Sequence, residues 1–432
     1  MKKYIFLIFL ITTIVSCTVN DEEFSDVDVA PNTKSFVFKQ TQRRSFSEAL
    51  YIAQHVGQSF QSRSARLIND YKTISLDKTQ YIVKESVARS LNSEDTLMYV
   101  FNYEDNKGFA VVSANRSTEA LIAVAESGNY DNNTETQNPA FGLYMDLAKN
   151  YVANRVRPLP DDGSIDVQIL KDTIKVMHIE PRVEVQWGQT GCESTYTPNG
   201  YAGCTNTAIA QICSYFNHPT QISLTYVGAN KNVQILNWNV IKQHKIQHSH
   251  ATCTATNEAH EAIAQLHRQL GHLNNSEYGT ETWTYNRYLL NTFNQLGFKT
   301  SSLYYFKLSS VSLSLQSGNI VFMGGSFDRM NSSTGSTETS GHHWIADGYA
   351  SYTVNEHEYT KPSNNPVWEY VDTYKTNYQY LHLNWGWDGY CNGYFSVGVF
   401  DTQRGIYDNI GSNFDNNLDY NFYDTYCINV SL

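Results

Sequence analysis

Gly203-Cys204-Thr205-Asn206-Thr207-Ala208-Ile209-Ala210-Gln211-Ile212 sets a lone cysteine directly after a glycine and directly before a helix-forming segment. A thiol at such a helix start feels the positive end of the helix dipole and the unpaired N–H groups of the first turn. Both favour the thiolate. The thiolate is the nucleophilic form, so a cysteine hydrolase would hold its attacking sulfur here. Alone, the pattern fits a core thiol equally well, because free cysteines are among the most buried residue types. The partners elsewhere in the chain decide between the two.

Four segments supply those partners. Gly341-His342-His343-Trp344-Ile345-Ala346-Asp347-Gly348 puts two histidines at the mouth of a strand and ends in a turn signal. Asn384-Trp385-Gly386-Trp387-Asp388-Gly389 is an aromatic, glycine-rich turn after another strand, and Trp187-Gly188-Gln189 precedes the cysteine. Asn319 to Gly325 reads as a buried strand ending in a glycine pair. Amide hydrolysis by a thiol needs these types. A histidine withdraws the thiol proton and later protonates the leaving amine. An Asn carbonyl holds that imidazole in its useful tautomer. A side-chain amide N–H beside the nucleophile's own N–H stabilises the oxyanion, and its removal costs about 3 kcal/mol.

Cys204 with Ala208, Ala210-Gln211-Ile212 and Pro219, then Gly-His with Asp-Gly five residues beyond, then Asn-Trp-Gly-Trp, resembles the streptopain family of papain-like cysteine peptidases. Lys107-Gly108-Phe109-Ala110-Val111-Val112-Ser113 resembles the sheet motif of that family's inhibitory pro-domain. The resemblance runs from about residue 35 to the end. It implies a zymogen whose N-terminal domain blocks the cleft until it is cut away. Carried over residue by residue, it implies Cys204 as nucleophile and His342 as general base and acid. It further implies Gln189 in the oxyanion hole, Asn384 as the imidazole orienter and Trp385 as the shield of that hydrogen bond. His343 falls where the family commonly has a small residue. Strand alternation lets only one of the two histidines face the cleft, and His342 is the choice. Thr205-Asn206-Thr207 also departs from the family pattern, with consequences expected at the mouth of the cleft. The gap from Gln189 to Cys204 is shorter than usual.

The fold class is α+β: a papain-like two-lobed catalytic domain, helical lobe plus antiparallel sheet lobe, preceded by a small α+β pro-domain. Residues 1–16 read as a signal peptide, with Lys2 and Lys3 before an apolar run too short to span a bilayer. Ile14-Val15-Ser16-Cys17 looks like a bacterial lipobox, so Cys17 would carry lipid and 17–34 would be a tether. The expected location is the cell surface or outer membrane, with secretion after processing as the alternative. Residues 35–155 form the pro-domain. A helix is expected from Ser45 with a Ser45/Glu48 capping box, strands at Leu97–Tyr103, Phe109–Ser113 and Leu121–Glu126, and a helix opening at Pro139. The polar stretch 156–175 reads as an exposed linker, the kind of segment proteases cut. The peptidase domain, 176–432, has helices at Thr205–Phe216, Glu258–Leu270 and Tyr285–Leu296. Its strands follow at Ile320–Met323, Trp344–Tyr349, Tyr380–Trp385 and Tyr394–Val399. Ser326 to Gly341 reads as a mobile loop that would gate substrates.

The 432 residues carry a net charge of −11 without a basic block, which argues against a nucleic-acid partner. The expected partners are protein or peptide substrates and the chain's own pro-domain, and the chemistry needs no cofactor. Seven cysteines at irregular spacings predict few or no structural disulfides. His244, His248, His250, Cys253, His260 and His267 lack the spacing of a closed zinc site and read as a solvated polar insertion. Cys192 lacks a following helix and makes a poor nucleophile. Two other functions fit the same residues: a surface binding protein that keeps the fold without turnover, and an acyl transferase or amidase with the same dyad.

Overall fold

The computed structural model describes residues 37–56, 73–83, 96–155, 162–244, 257–330, 337–400 and 422–432, with side chains left undescribed at 326–340 and 422–424. The leader, Cys17, His248, His250 and Cys253 lie outside these residues. An antiparallel sheet runs through the whole molecule. In the N-terminal unit the strands are β1 (Val37–Gln40), β2 (Gln80–Val83), β3 (Thr96–Asn102), β4 (Phe109–Ser113) and β5 (Leu121–Ala125). β6 (Asp162–Ile179) joins the units. The C-terminal unit adds β7 (Ile320–Met330), β8 (Thr337–Pro362), β9 (Glu369–Asn384), β10 (Gly393–Ser396) and β11 (Phe422–Ser431). The main path runs β11-β7-β8-β9-β10-β5-β4-β3-β2, with β6 on β8 and β1 on β6.

β3, β4 and β5 are buried along their length, as their unbroken apolar runs demand. Two helices flank this sheet. In α1 (Phe46–Gln54) the Ser45 hydroxyl accepts from the Glu48 N–H, while the Glu48 carboxylate turns to Arg116 instead of closing the capping box. In α2 (Pro139–Asn154) the Asn138 side chain caps the Phe141 N–H. The helical lobe carries α3 (Cys204–Phe216), α4 (Glu258–Leu273) and α5 (Leu289–Gln295). Its core joins Ile209 and Ile212 of α3, Ile263 and Leu266 of α4 and Phe293 of α5 to Phe322 and Ile345 of the sheet.

Three expectations change. The stretch read as a linker is strand from Asp162 on: β6 pairs with β8 over Ile165–Ile179. Its side chains stay largely exposed, so polarity signalled solvent while the backbone found a ladder. Most of the stretch read as a gating loop is also ladder, because β7 and β8 pair from Val321↔Ala346 out to Met330↔Thr337, while 331–336 lie outside the described residues. Its β-branched Thr residues suit strands as well as loops. Finally, the two units are not separate bodies. β5 adds directly to β10 through Gly393↔Ala125, Tyr394↔Val124 and Phe395↔Ala123. Among the described cysteines, Cys192 is disulfide-bonded and Cys204, Cys213, Cys391 and Cys427 are free.

The N-terminal unit packs an aromatic helix face against the C-terminal sheet. Phe141 and Tyr144 of α2 pack on Trp385 at ring-centroid distances of 6.4 and 6.3 Å. Tyr144 meets Phe395 at 4.8 Å and donates its hydroxyl to the Ile122 carbonyl. One apolar core therefore spans both units. The joint is tight at Gly393, where a Cβ would stand 2.0 Å from the Val124 oxygen. Replacing Gly393 by Val should push β5 off β10. The expected result is faster limited proteolysis of residues 37–155 and a lower melting temperature for the precursor; an unchanged proteolysis rate would count against this docking.

Candidate active site

Cys204 is the first residue of α3, and Gly203 before it has φ of 91°, a left-handed value that suits glycine. The helix is apolar on the side facing Phe322 and Ile345 but polar at its start, and each polar side chain there has a partner. The Thr207 hydroxyl donates to the Gly188 carbonyl at 3.0 Å. The Gln211 amide donates to the Trp187 carbonyl and to Asn384 Oδ1, both at 3.1 Å. Asn206 donates to the Ala202 carbonyl at 2.8 Å and accepts from Asn274 at 2.8 Å. Thr205-Asn206-Thr207, expected to alter the mouth of the cleft, is instead buried and hydrogen-bonded.

These bonds bring Trp187-Gly188-Gln189 alongside Cys204. The Ala202 N–H donates to the Gln189 carbonyl at 2.7 Å, two residues before Cys204. Gln189 is buried and its Nε2 has no hydrogen-bond partner. An unmatched buried N–H₂ costs about 1–3 kcal/mol, and a donor held so is ready for an anionic oxygen.

The histidines divide between the faces of β8. Alternation puts His342 with Trp344, and His343 with Ile345 on the α3 side. The face toward Cys204 is thus that of His343. Its Nδ1 lies 2.7 Å from the Thr205 hydroxyl, and its backbone N–H points at the Cys204 sulfur. Its Nε2 contacts the Tyr426 hydroxyl and stands 3.3 Å from Asn286 Oδ1. His342 Nδ1 is buried without a partner. Opposite His342 in the ladder is Gly325, where a Cβ would lie 3.0 Å from Leu143 of α2 and 3.2 Å from Trp344.

Burial sets the protonation of all three groups. It pushes the Cys204 thiol up, against hydrogen bonds from the His343 N–H and from Thr205. It lowers His342 to about 4 and His343, with His342 adding repulsion, to about 3. In this arrangement the thiol and both rings are neutral at neutral pH.

Asn384 makes no hydrogen bond to either histidine among the described residues. Its Oδ1 accepts from Gln211 and from the Gly386 N–H at 3.1 Å, and its Nδ2 donates to the Val185 carbonyl at 3.1 Å. Trp385 is buried between Trp344, at 5.3 Å, and the aromatic face of α2, with its indole N–H on the Cys391 carbonyl. Of the histidine cluster, His244 and His260 touch at 3.3 Å and His267 is buried on the Ile263 carbonyl. No metal-holding group occurs among the described residues.

Two residues escaped the sequence reading. Gln211 stood inside the quoted motif without a role; its position about two turns past Cys204, on the same helix face, was the available signal. His382 was not singled out at all. It pairs with Asp347 at 2.6 Å and with Glu126 of the N-terminal unit at 3.5 Å, while the other Asp347 oxygen accepts from the Val183 N–H. Asp347 therefore anchors the start of the peptidase unit.

Two predictions follow from these bonds. Gln211→Leu leaves the Trp187 carbonyl without its amide donor and should destabilise the fold by about 1–3 kcal/mol in urea unfolding; a neutral effect would rule out the tie. For His382, burial alone would lower the ring, but Asp347 and Glu126 overrule it and push it to about 10. A folded value above the unfolded one, about 6.5, gives stability that is complete below the unfolded value and is lost as the pH rises through about 10. The melting temperature of the precursor should fall over that alkaline interval, and His382→Gln should flatten the fall; parallel profiles would refute the assignment.

Residues 187–395 match the model of the Peptidase C10 family, and residues 35–152 match that of the Spi protease inhibitor. No curated protein matches the chain. Among solved structures, a prointerpain A fragment from Prevotella intermedia is 18% identical, covers 74% of this chain and 92% of its own, and has a TM-score of 0.45.

Proposed function

From the premise that this chain is a Peptidase C10 protein carrying a Spi-type inhibitor domain, we propose that it is the zymogen of a cysteine endopeptidase, exported and lipid-anchored through Cys17. One observation carries the reading: Cys204 opens a buried helix beside Gln189, whose side-chain N–H₂ is buried and unpartnered. In the proposed reaction the Cys204 thiolate attacks a peptide carbonyl and His342 takes the thiol proton. Gln189 Nε2 and the Cys204 N–H hold the oxyanion. The leaving amine departs with the proton from His342, and water then releases the acyl group from the sulfur. Asn384 serves as orienter and Trp385 as shield once the cleft is open.

Autoinhibition has a physical basis in the same reading. α2 sets Leu143 over Gly325, the ladder partner of His342, and covers Trp385 with Phe141 and Tyr144. Buried there, His342 is a neutral ring with no thiolate to pair with. Removing the N-terminal unit admits water to its face of β8, raises its proton affinity and frees it to reach the sulfur. The activating cut falls before Asp162, because a protease needs its substrate extended and unpaired, and β6 is paired from there on, first with β1 and then with β8.

Purified precursor incubated with reductant tests this. The processed chain should begin no later than Asp162 and cleave peptides, with Cys204→Ala inert to both cleavage and a thiol-directed probe. His342→Ala should lower kcat by about 10²–10⁴, and His343→Ala by much less. The rival reading is a surface binding protein without turnover, favoured by the separation of His342 from the Cys204 face. Probe labelling without any cleavage, or no labelling after removal of the N-terminal unit, would select it.

A further inference from the structure

The loop between β5 and α2 meets a single residue of the C-terminal unit, Tyr390, from several sides. The Tyr390 ring lies on Gly128, where an added Cβ would stand 2.5 Å from a ring carbon. Its hydroxyl gives its one proton to the Asn129 carbonyl at 2.9 Å, and its oxygen stands 3.1 Å from the Thr134 hydroxyl. The Tyr390 carbonyl accepts from Asn138 Nδ2 at 2.9 Å, and the Gly389 carbonyl accepts from the Ser127 hydroxyl at 2.9 Å. Asn138 also caps α2 at the Phe141 N–H, so one side chain ties that helix to the turn after Trp385. Thr134 and Asn138 are fully buried.

Each side of this contact is braced by its own unit. Gly128 donates its N–H to the Asn106 carbonyl and accepts from the Gly108 N–H, both at 2.9 Å, and the Thr134 oxygen accepts from the Asp131 N–H at 2.8 Å. Across the seam, the Tyr390 N–H closes the turn on the Trp387 carbonyl at 2.8 Å, and the Asn392 N–H closes on the Gly389 carbonyl at 3.1 Å. Two preformed surfaces lose little freedom on meeting. They also discriminate. A site built to bond a hydroxyl rejects the analogue that lacks it, because its own polar groups are left unmatched. The β5–β10 ladder engages backbone and the rings of α2 engage apolar area, so both tolerate substitution where this contact does not.

We propose that residues 127–138 form a tyrosine socket through which the N-terminal unit recognises its peptidase, with Tyr390 as the specificity-determining residue. The partner it fits is a tight turn that presents a tyrosine hydroxyl and two adjacent backbone carbonyls. Phenylalanine at 390 would keep the ring on Gly128 but leave the Asn129 carbonyl without its donor. Once the segment joining the units is cut, these bonds set how long the N-terminal unit stays docked.

The socket needs no turnover to be tested, and only its part in silencing the enzyme rests on the proposed zymogen. In full-length precursor with Cys204→Ala, which blocks self-cleavage, hydrogen exchange is followed by mass spectrometry at β5 and β10, with β7 and β11 as the reference ladder. Tyr390→Phe should quicken exchange at β5 and β10 about five- to thirtyfold and leave the reference unchanged. Thr134→Val should act likewise, and the double variant should exceed the faster single one by less than about twofold, as two groups sharing one bond require. Unchanged exchange in Tyr390→Phe, equal quickening of the reference ladder, or effects that multiply would overturn the socket; Tyr390→Phe decides alone if Thr134→Val does not fold. With Cys204 restored and reductant added, Tyr390→Phe should also hasten processing, and processing at the parent rate would overturn its part in silencing. Faster seam exchange with no processing in either chain would sink the peptidase reading and leave the socket standing.

Discussion

The side-chain amide of Gln211 is the tie on which the site depends. Two turns into α3, it reaches the Trp187 carbonyl in one direction and Asn384 Oδ1 in the other. Those three residues come from three distant parts of the chain. Trp187 fixes where Gln189 stands, Asn384 fixes the end of β9, and α3 fixes Cys204. A buried amide with two good acceptors gives direction that apolar packing alone lacks, because misplacing any of the three strands of chain leaves an orphaned group in the core. Thr207 on the Gly188 carbonyl and Ala202 on the Gln189 carbonyl repeat the same logic nearer the sulfur.

The N-terminal unit exploits a different physics. It adds a strand to an existing edge and lays an aromatic helix over the neighbouring face. Strand addition supplies direction through backbone hydrogen bonds, and ring burial supplies the free energy. Removing the unit would uncover Phe395 and Trp385 together. The buried His382 bridges the same boundary, joining Glu126 on one side to Asp347 on the other.

Much of this was legible beforehand. α3, α4, β3, β4 and β5 follow from apolar patterning, the Ser45 cap from local chemistry and the start of α2 from Pro139. What periodicity cannot show is pairing between distant segments. β6 is polar because its side chains are exposed, yet its backbone is saturated by β8; the signal for solvent masked the signal for strand. At 326–330 and 337–341 the backbone is likewise paired, although composition suggested a loop. At the site, the family resemblance singled out Cys204, Gln189, His342 and Asn384. The faces they occupy depended on ladder register, which no single stretch of sequence contains.

The two histidines illustrate where such reasoning stops and geometry takes over. Adjacent residues on a strand must point oppositely, so one ring meets the nucleophile helix and the other meets whatever covers the far face. In the precursor the far face is covered by α2, and the ring there is His342, without a partner for Nδ1. The near ring, His343, is saturated by Thr205 and Tyr426. A base that must move protons needs a free nitrogen, whereas a ring bonded at both nitrogens serves better as a brace. The pair thus splits between the two faces of β8, one ring lying toward the face that α2 covers and the other bonded between Thr205 and Tyr426.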